Sequence, residues 1–313
     1  MATILITGGT GLIGKALSTA LAEKGYKVVL LSRNPSEHSS RHNISHAGWD
    51  IEEQKIDENA IAGADHIIHL AGAGVADRRW TRKRKEEIAN SRIRSSELLV
   101  RSLKNIGNNV QSVISASAIG WYGPDPVIPN PAPFVEEDKP APGFLGETCL
   151  EWERSIQPVE AMGKRLVILR TGIVLSADGG ALAEFRKPVR LGIAAILGNG
   201  NQMISWIHVD DLVRLYIKCL EDARMTGVYN AVAPKPVSNR ELVTKLARKV
   251  KGKFYIPVHV PAFALKLVLG EMSIEVLKST TVSCGKAHTM DFTFLYPTVE
   301  AAFAQLFSTE QTG

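Results

Sequence analysis

A glycine-rich segment near the N-terminus places the strongest constraint on the fold of this chain. Residues 7–14 read TGGTGLIG, directly after an apolar strand pattern and directly before an amphipathic helix pattern. Gly8 permits a tight turn, Gly11 lets the backbone approach a phosphate group, and Gly14 lets the helix pack closely on the strand. The N-terminus of that helix offers unpaired N–H groups to phosphates. The segment therefore predicts a dinucleotide-binding loop rather than a glycine-rich turn without a ligand.

Strand and helix patterns alternate along the first half of the chain. Strands are predicted at residues 3–7, 28–31, 65–70, 113–117 and 166–170, and helices at residues 12–24, 81–103 and 145–161. Because the strands are short and apolar and helices lie between them, the pattern predicts a parallel sheet that is covered on both faces.

The pattern changes in the later part of the chain. Residues 124–142 contain seven prolines and predict a long irregular loop, and residues 176–200 are rich in glycine. Ser238 and Glu241 stand in an S-x-x-E arrangement that is typical of a helix start. The C-terminal part predicts a smaller α/β unit.

The composition is that of an ordinary globular protein. Of its 313 residues 45% are hydrophobic and 22% charged, and the formal net charge is +5, which excludes wholesale disorder. Cys149, Cys219 and Cys284 are far apart and form no C-x-x-C pair, so we expect no disulfide framework, no cysteine zinc site and a reducing compartment. No apolar stretch reaches the length of about 18 residues that a membrane span needs, and the first strand begins too early for a signal peptide. We therefore expect a cytoplasmic protein without a membrane partner.

The end of the second predicted strand indicates which dinucleotide is bound. An NAD site usually has an acidic residue here for the ribose 2′-hydroxyl, but this strand ends in Ser32 and Arg33. A serine hydroxyl and a guanidinium can bind a 2′-phosphate, so the sequence favours NADP. The alternative is that Arg33 is a solvated loop charge. The segment Leu70-Ala71-Gly72-Ala73-Gly74 follows the third strand, and its small residues would let a ligand lie on the backbone, or they pack closely without one.

Several segments together resemble the extended short-chain dehydrogenase/reductases of the NDP-sugar epimerase-like group. They resemble in particular an atypical branch that is called the epimerase family proteins. The matching segments are TGGTGLIG, HLAGAGVADRRW, NSRIRSS, SASAIGWYG, LEWE, LRTGIVLSADGGAL, SWIHVDDL, GVYNAVAPKPVSN and VPAFAL, which span nearly the whole chain. The resemblance implies a Rossmann-type doubly wound α/β fold with a small C-terminal α/β substrate domain. Residues 1–175 with 201–235 would form the NADP-binding domain, and residues 176–200 and 236–313 the substrate domain.

The resemblance also assigns cofactor-binding residues by their positions in the matching segments. The cofactor is NADP, and the residues that carry over are Gly8, Thr10, Gly11, Leu12, Ile13, Gly14, Ser32, Arg33, Leu70, Ala71, Gly72, Glu87, Arg92, Arg170 and Val174. Arg92 replaces an asparagine that is more usual in the family. Glu87 and Ser91 are four residues apart and share one face of the predicted helix.

The catalytic positions depart from the family pattern. Typical members use a Tyr-x-x-x-Lys pair with a Ser or Thr, but Leu145 and Cys149 stand at the Tyr and Lys positions. None of the six tyrosines has a lysine four residues later. Ser117 occupies the Ser/Thr position and is a candidate for binding the substrate. Tyr122 either reaches the cleft as a substitute acid or packs as a structural aromatic residue, and Cys149 is interpreted as buried packing.

Three other groups of residues suggest a metal site, a nucleic-acid site or a further catalytic residue. His38, His42 and His46 are four residues apart but lie in a predicted loop, so we expect no metal site. Residues 78–85 contain six basic residues around Trp80; we expect a solvated helix start that attracts an anionic substrate, rather than nucleic-acid binding. His208 is interpreted as structural, with Asp210 or Asp211 beginning a helix.

These observations lead to two hypotheses about function. The first is an NADP-dependent oxidoreductase or nucleotide-sugar epimerase that acts on a small anionic, nucleotide-sugar-like molecule. The second is a non-catalytic, NADP-responsive regulatory protein, since some members of the branch are labelled cell-division inhibitors and the Tyr/Lys pair is missing. The resemblance also implies a homodimer that pairs through the helices predicted at residues 81–103 and 145–161.

Overall fold

The structure is a computed structural model that describes residues 1–37 and 43–308. Its strands are β1 (Thr3–Thr7), β2 (Lys27–Ser32), β3 (Ile44–Asp50), β4 (Lys55–Ile56), β5 (His66–His69), β6 (Ser112–Ala118), β7 (Arg165–Thr171), β8 (Ile173–Leu175), β9 (Ile193–Leu197), β10 (Met203–Ile204), β11 (Trp206–His208), β12 (Gly227–Ala231), β13 (Val237–Ser238) and β14 (Ile256–Val260). Its α-helices are α1 (Leu12–Glu23), α2 (Glu58–Ala62), α3 (Arg82–Asn105), α4 (Phe144–Ile156), α5 (Ala181–Arg190), α6 (Val209–Glu221), α7 (Asn239–Lys251), α8 (Ala262–Leu269), α9 (Ser273–Leu277), α10 (Gly285–Thr289) and α11 (Val299–Leu306).

The central sheet has the strand order β12-β7-β6-β5-β1-β2-β3-β4. Its strands run parallel except for β4, which is antiparallel to β3. The chain moves outward from β1 to β2 and β3 and then returns to β5 on the other side of β1. In sheets of this kind ligands bind at the carboxyl ends of the strands on either side of such a reversal. The glycine-rich segment lies at this position, between β1 and α1.

Helices cover both faces of the sheet because successive residues of a strand point to opposite sides. Ile4 and Ile6 of β1 pack on one face in a core that includes Leu215 of α6, whereas Leu5 packs on the other face with Leu99 of α3. The predicted Rossmann-type doubly wound α/β fold is therefore confirmed.

The C-terminal part of the chain has a core of its own around β9. Leu182 of α5, Leu246 of α7 and Phe303 of α11 are buried together there, and β14 runs parallel to β9. The division of the chain into domains at residues 175, 200 and 235, and the role of the smaller unit in binding substrate, stay predictions. Within the described ranges, we find no helix with the length and apolarity that crossing a membrane requires.

Local sequence signals explain where several helices begin or end. Thr81 caps α3 by accepting a hydrogen bond from the Arg84 N–H at 3.2 Å, and Ser238 caps α7 in the same way through the Glu241 N–H at 3.1 Å. The helix predicted at residues 145–161 ends earlier, at Ile156, and a 3-10 turn follows over Gln157–Met162. Pro158 lies at the start of this turn, and it cannot donate a backbone hydrogen bond to continue the α-helix.

Candidate functional site

The glycine loop leaves open space where a phosphate would bind. Gly8 has φ +68°, and a Cβ on it would lie 2.9 Å from the carbonyl carbon of Leu70. A Cβ on Gly14 would overlap the carbonyl oxygen of Gly8, whereas a Cβ on Gly11 would meet only that oxygen, at 3.3 Å. Gly11 is the N-cap of α1 and has no side chain to cap the helix. The loop therefore fits a pyrophosphate, which the free amides of the first helical turn can bind.

The end of β2 lies beside this loop. Leu31 pairs with Thr7 in the parallel register, so Ser32 and Arg33 follow at the same edge of the sheet. The Ser32 hydroxyl accepts a hydrogen bond from the Asn34 N–H at 3.2 Å. Arg33 is exposed, and it forms no ion pair with any residue of the ranges 1–37 and 43–308. The guanidinium is thus available to an anion from solvent.

A buried histidine connects the ends of β1 and β5. Thr7 Oγ1 accepts hydrogen bonds from the N–H groups of Leu70 and Ala71, each at 3.1 Å, so its own proton points to Nδ1 of His69 at 2.7 Å. Nε2–H of His69 then donates to the Ser96 hydroxyl at 3.1 Å. Burial lowers the pKa of His69 to about 3, so the imidazole is neutral. This arrangement fixes the backbone of Leu70 and Ala71, two predicted cofactor residues, against the glycine loop.

Arg92 lies across the segment that follows β5. Its Nη1 donates to the carbonyl oxygens of Ala73 at 3.0 Å and Ile88 at 2.9 Å, and its guanidinium carbon lies 4.9 Å from the centre of the Trp152 ring. A Cβ on Gly72 would lie 3.0 Å from the same carbon. Burial lowers the pKa of Arg92. Arg92 and Gly72 are therefore in direct contact, and their assignment to a cofactor site stays a prediction.

Glu87 faces an arginine of its own helix. Its carboxylate lies 2.8 Å from Nη1 of Arg84, and this ion pair lowers the pKa of Glu87. The Arg84 side chain is 8% exposed and also donates to the carbonyl oxygen of Gly74. Arg84 thus belongs to the structure of the loop after β5, although the basic run that contains it was interpreted as a solvated helix start. Arg84 is buried because it supplies the hydrogen-bond donor that the Gly74 carbonyl oxygen needs.

Ser117 and Arg170 meet at a buried carboxylate. The Ser117 hydroxyl donates to Oε1 of Glu153 at 2.6 Å. Arg170 binds the same carboxylate with two hydrogen bonds, from Nε to Oε1 at 2.8 Å and from Nη2 to Oε2 at 2.9 Å. The guanidinium also stacks 3.6 Å from the centre of the Trp121 ring. This pairing satisfies most of the hydrogen-bonding capacity of both predicted site residues within the protein.

Tyr122 belongs to the same buried cluster. Its hydroxyl donates to Oδ1 of Asn230 at 2.7 Å and accepts from Nη1 of Arg170 at 3.1 Å. The side chain is fully buried, and burial raises the pKa of Tyr122 to about 12. A buried phenol with both hydrogen bonds satisfied has no path to a substrate. The geometry therefore favours a structural Tyr122 over a substitute acid.

Leu145 and Cys149 lie where the family pattern has tyrosine and lysine. Both are on α4, and a Cβ on Gly120 would lie 3.2 Å from Cβ of Leu145 and 3.6 Å from Sγ of Cys149. The Cys149 thiol is buried and donates to the Ala118 carbonyl oxygen at 3.6 Å. Burial raises the pKa of Cys149 to about 12, so the thiol is neutral. Neither side chain can exchange a proton near neutral pH.

The turn after β8 closes over the start of α1. Val174 is half-buried on β8, and Gly180, with φ +68°, begins α5. A Cβ on Gly180 would lie 3.1 Å from Cδ2 of Leu12. The glycine loop is therefore bordered by this turn as well as by the end of β5.

The structure describes one of the three evenly spaced histidines and the whole segment around His208. His38 and His42 lie outside the described residues, and His46 is in β3; the described part of the chain contains no cluster of three His, Cys, Asp or Glu side chains that could hold a metal. His208 itself caps α6, since Nδ1 accepts from the Asp210 N–H at 3.0 Å. Asp210 and Asp211, one of which the sequence predicts to begin this helix, both lie in its first turn, and Asp211 also accepts hydrogen bonds from the backbone N–H groups of Leu295 and Tyr296.

Two residues of the site were not identified from the sequence. Glu153 is four residues after Cys149 and eight after Leu145, so helical periodicity places all three on one face and could have indicated it. His69 ends an apolar strand at the edge where ligands bind, and a lone polar residue at such a point was the available signal.

Comparisons with known proteins agree with this geometry. The model of the NAD dependent epimerase/dehydratase family matches residues 4–231, and a domain of unknown function, DUF1731, matches residues 260–306. An epimerase family protein of Staphylococcus saprophyticus is 36% identical over 305 residues, which cover 96% of this chain and 98% of the relative. The epimerase family protein YfhF of Bacillus subtilis is 33% identical over 311 residues, 99% of each chain.

Solved structures show the same fold over the whole chain. The human epimerase family protein SDR39U1, solved with NADPH, is 25% identical with a TM-score of 0.84 and covers 98% of this chain and 99% of its own. MoeE5, solved with UDP-glucuronic acid and NAD, is 22% identical with a TM-score of 0.79 over 100% of both chains, a likeness of fold alone. The chain therefore belongs to the NAD dependent epimerase/dehydratase family, as an atypical extended short-chain dehydrogenase/reductase with an NAD(P)-binding fold.

Proposed function

We propose that this protein binds NADP(H) in preference to NAD(H) and acts as an oxidoreductase or epimerase on a small anionic, nucleotide-sugar-like molecule. The observation that carries the cofactor preference is the end of β2, where Ser32 and the exposed Arg33 stand in place of an acidic residue. A 2′-phosphate there would meet a hydroxyl and a guanidinium that forms no ion pair within residues 1–37 and 43–308, whereas a carboxylate would repel it. The NADPH bound to the human relative supports the same preference.

The remaining cofactor contacts follow from the geometry of the loop. When bound, the dinucleotide supplies a hydride acceptor or donor. The amides at the start of α1 would hold its pyrophosphate, and the backbone of Leu70 and Ala71, fixed by Thr7 and His69, would support the adenosine side. Arg92, beside Gly72, would supply positive charge at the end of β5. Glu87 forms an ion pair with Arg84, so it would contribute to the cofactor site by holding the Arg84 side chain in place.

The substrate would bind beyond the ends of β6 and β7. There Ser117 and Arg170 hold the Glu153 carboxylate, and Tyr122 holds Arg170 from the other side. We assign positioning roles to Ser117 and Tyr122, because their hydroxyl protons are already donated within the protein. UDP-sugars are bound by MoeE5, which shares the fold. The exposed arginines at the start of the basic run would attract such an anion.

The cofactor preference is tested by calorimetric titration of the purified protein with NADPH and with NADH. We expect tighter binding of NADPH, and we expect Arg33→Ala to weaken NADPH binding about ten- to one-hundred-fold while it changes NADH binding little. Arg190→Ala removes a different exposed arginine and is the matched control. Equal losses for both dinucleotides in Arg33→Ala would remove Arg33 from a 2′-phosphate site, and no binding of either would refute the proposal.

A non-catalytic, NADP-responsive protein is the second candidate, and Leu145 and Cys149 at the catalytic positions are the observation behind it. Membership of an enzyme family favours the first candidate. Turnover separates the two: net oxidation of NADPH that depends on a UDP-sugar supports an oxidoreductase, and conversion of a UDP-sugar into its epimer without net change of the cofactor supports an epimerase. Tight NADPH binding with neither reaction, across a panel of UDP-sugars, supports a regulatory protein.

A further inference from the structure

An open cavity lies between helix α7 and strand β14 of the smaller unit. Its volume is about 330 Å³, and its lining residues are Thr244, Arg248, Gly252, Lys253, Tyr255 and Pro257. Small-molecule sites in proteins begin at about this size. None of these residues belongs to the glycine loop, to the segment after β5 or to the cluster around Glu153, so the cavity is built from other parts of the chain.

The end of α7 and the turn after it form one wall of the cavity. Thr244, Arg248 and Gly252 are each four positions apart, so they follow one another along one face of the helix and its end. Gly252 has φ +63° and lets the chain reverse, and the Phe254 N–H then donates to the Lys251 carbonyl oxygen at 3.1 Å. The turn therefore leads the chain back along α7 as β14.

Alternation along the returning strand decides which of its side chains reach the cavity. Tyr255, just before β14, and Pro257 line it, whereas Ile256 and Val258 point to the other side of the ribbon that β14 forms with β9. The Tyr255 ring packs against the core around β9. The phenol is therefore held in place at the cavity, and the exposed aliphatic side chains of β14 take no part in it.

Three side chains of the cavity carry hydrogen-bond donors that a ligand can use. In the part of the chain that the structure describes, the Arg248 guanidinium, the Lys253 ammonium and the Tyr255 hydroxyl form no hydrogen bond and no ion pair. The two cations therefore do not cap the carbonyl groups at the end of α7. Thr244 differs, because its hydroxyl donates to the Arg240 carbonyl oxygen at 2.7 Å.

The charge around the cavity is positive. Its six lining residues include no aspartate or glutamate, and residues 242–270 contain six lysines and arginines but no acidic residue. Lys245, one of these six cations, is neutralised by ion pairs with Glu241 and Glu300. The two cations of the cavity thus place two positive charges around one open space.

We propose that this cavity binds the phosphate group of a small phosphate monoester. Such a group carries a charge of about −1.5 to −2 at pH 7, which matches Arg248 and Lys253, whereas a carboxylate carries a single charge. Its terminal oxygens would accept hydrogen bonds from the guanidinium, the ammonium and the Tyr255 hydroxyl. The proposal does not depend on the function proposed above.

Calorimetric titration of the full-length protein with phenyl phosphate tests the proposal. Benzoate is the matched probe, since it has the same ring but one negative charge. Both titrations are made at constant ionic strength and with excess NADPH, which keeps the probe out of the phosphate sites of the cofactor. We expect phenyl phosphate to bind at millimolar concentration and benzoate to bind at least about tenfold more weakly.

Substitutions distinguish this cavity from general positive charge. Arg248→Ala and Lys253→Ala should each weaken the binding of phenyl phosphate at least about tenfold, the effect of losing one charge-assisted hydrogen bond. Tyr255→Phe removes a neutral donor and should weaken binding about three- to tenfold. Lys251→Ala is the matched control, because Lys251 is an exposed cation of the same turn that does not line the cavity, so the loss should be less than about threefold.

Two kinds of result would overturn the proposal. The first is that phenyl phosphate does not bind to the wild-type protein at millimolar concentration, or that benzoate binds equally well. The second is that Lys251→Ala weakens binding as much as Lys253→Ala does, because the anion would then respond only to the overall charge. Unchanged thermal unfolding of the variants without ligand shows that a loss of binding does not come from a loss of folding.

Discussion

The side chain of Arg92 passes so close to Gly72 that any side chain at residue 72 would press against it. A Cβ there would lie 3.0 Å from Cζ and 3.1 Å from Cγ of Arg92. Arg92 is held at this place by the carbonyl oxygens of Ala73 and Ile88, so it cannot move aside without losing hydrogen bonds. A side chain at residue 72 would therefore shift Arg92, and with it the positive charge at the end of β5.

Gly72→Ala should displace Arg92 and weaken the binding of NADPH. We expect about a tenfold loss of affinity, the magnitude of one weakened charge-assisted hydrogen bond, with a loss of about 1–3 kcal/mol in the free energy of unfolding. Calorimetry and urea unfolding measure the two effects. Gly107→Ala is the control, because a Cβ on Gly107 would meet no atom within 4 Å. If Gly72→Ala bound NADPH like the wild type, Arg92 would have no role in cofactor binding.

Substitutions of Glu153 and Ser117 should lower the free energy of unfolding by different amounts. Glu153 carries the buried carboxylate that pairs with Arg170, whereas Ser117 donates one hydrogen bond to that carboxylate. Glu153→Gln leaves the Arg170 guanidinium buried without its counter-charge, so we expect a loss of about 3–5 kcal/mol in the free energy of unfolding. Ser117→Ala removes one hydrogen bond to the Glu153 carboxylate and should cost about 1.5–3 kcal/mol. Urea unfolding measures both variants.

The control for this pair lies on the same helix. Glu151 pairs with Arg154 at the surface, and both side chains are more than half exposed, so Glu151→Gln should change the unfolding free energy by less than about 0.5 kcal/mol. If Ser117→Ala kept full stability but lost turnover, its hydroxyl would touch the substrate. The positioning role proposed for Ser117 would then be wrong.

The cofactor loop could be predicted from the sequence because its information is local. The glycines of the loop, the strand before it and the helix after it are contiguous, and the Leu31–Thr7 register brings Ser32 and Arg33 beside them. Backbone geometry alone requires glycine at Gly8 and Gly14.

The positions of Ser117 and Tyr122 were harder to predict from the sequence, because their hydrogen-bond partners lie far away along the chain. Whether Tyr122 faces the cleft or the core depends on Asn230, which is 108 positions further along the chain. Ser117 likewise depends on Glu153, 36 positions later and on another element. The burial of Arg84 could not be predicted, because the sequence of a basic run does not show which of its side chains donates a hydrogen bond to a backbone carbonyl oxygen. Tertiary hydrogen bonds therefore decided these assignments.

The buried imidazole of His69 makes stability depend on pH. Burial lowers its pKa from 6.5 to about 3, so between these values the unfolded chain binds a proton that the folded protein excludes. The free energy of unfolding should consequently fall as pH decreases from 6.5 towards 3, with a contribution from His69 of up to about 1.4 kcal/mol per pH unit. Above pH 6.5 both states are neutral at this residue and the contribution vanishes.

His69→Gln tests this by removing the titrating group. We expect the variant to be less stable than the wild type at pH 7, because Thr7 and Ser96 lose their shared partner. Its unfolding free energy should nevertheless decline less steeply between pH 6.5 and 4, when urea unfolding is measured across that range. Ser96→Ala is the matched control: it removes one hydrogen bond of the same group but keeps the imidazole, so its pH profile should run parallel to that of the wild type. Parallel profiles for His69→Gln and the wild type would show that His69 accepts a proton in the folded protein, and the neutral link between Thr7 and Ser96 would then be incorrect.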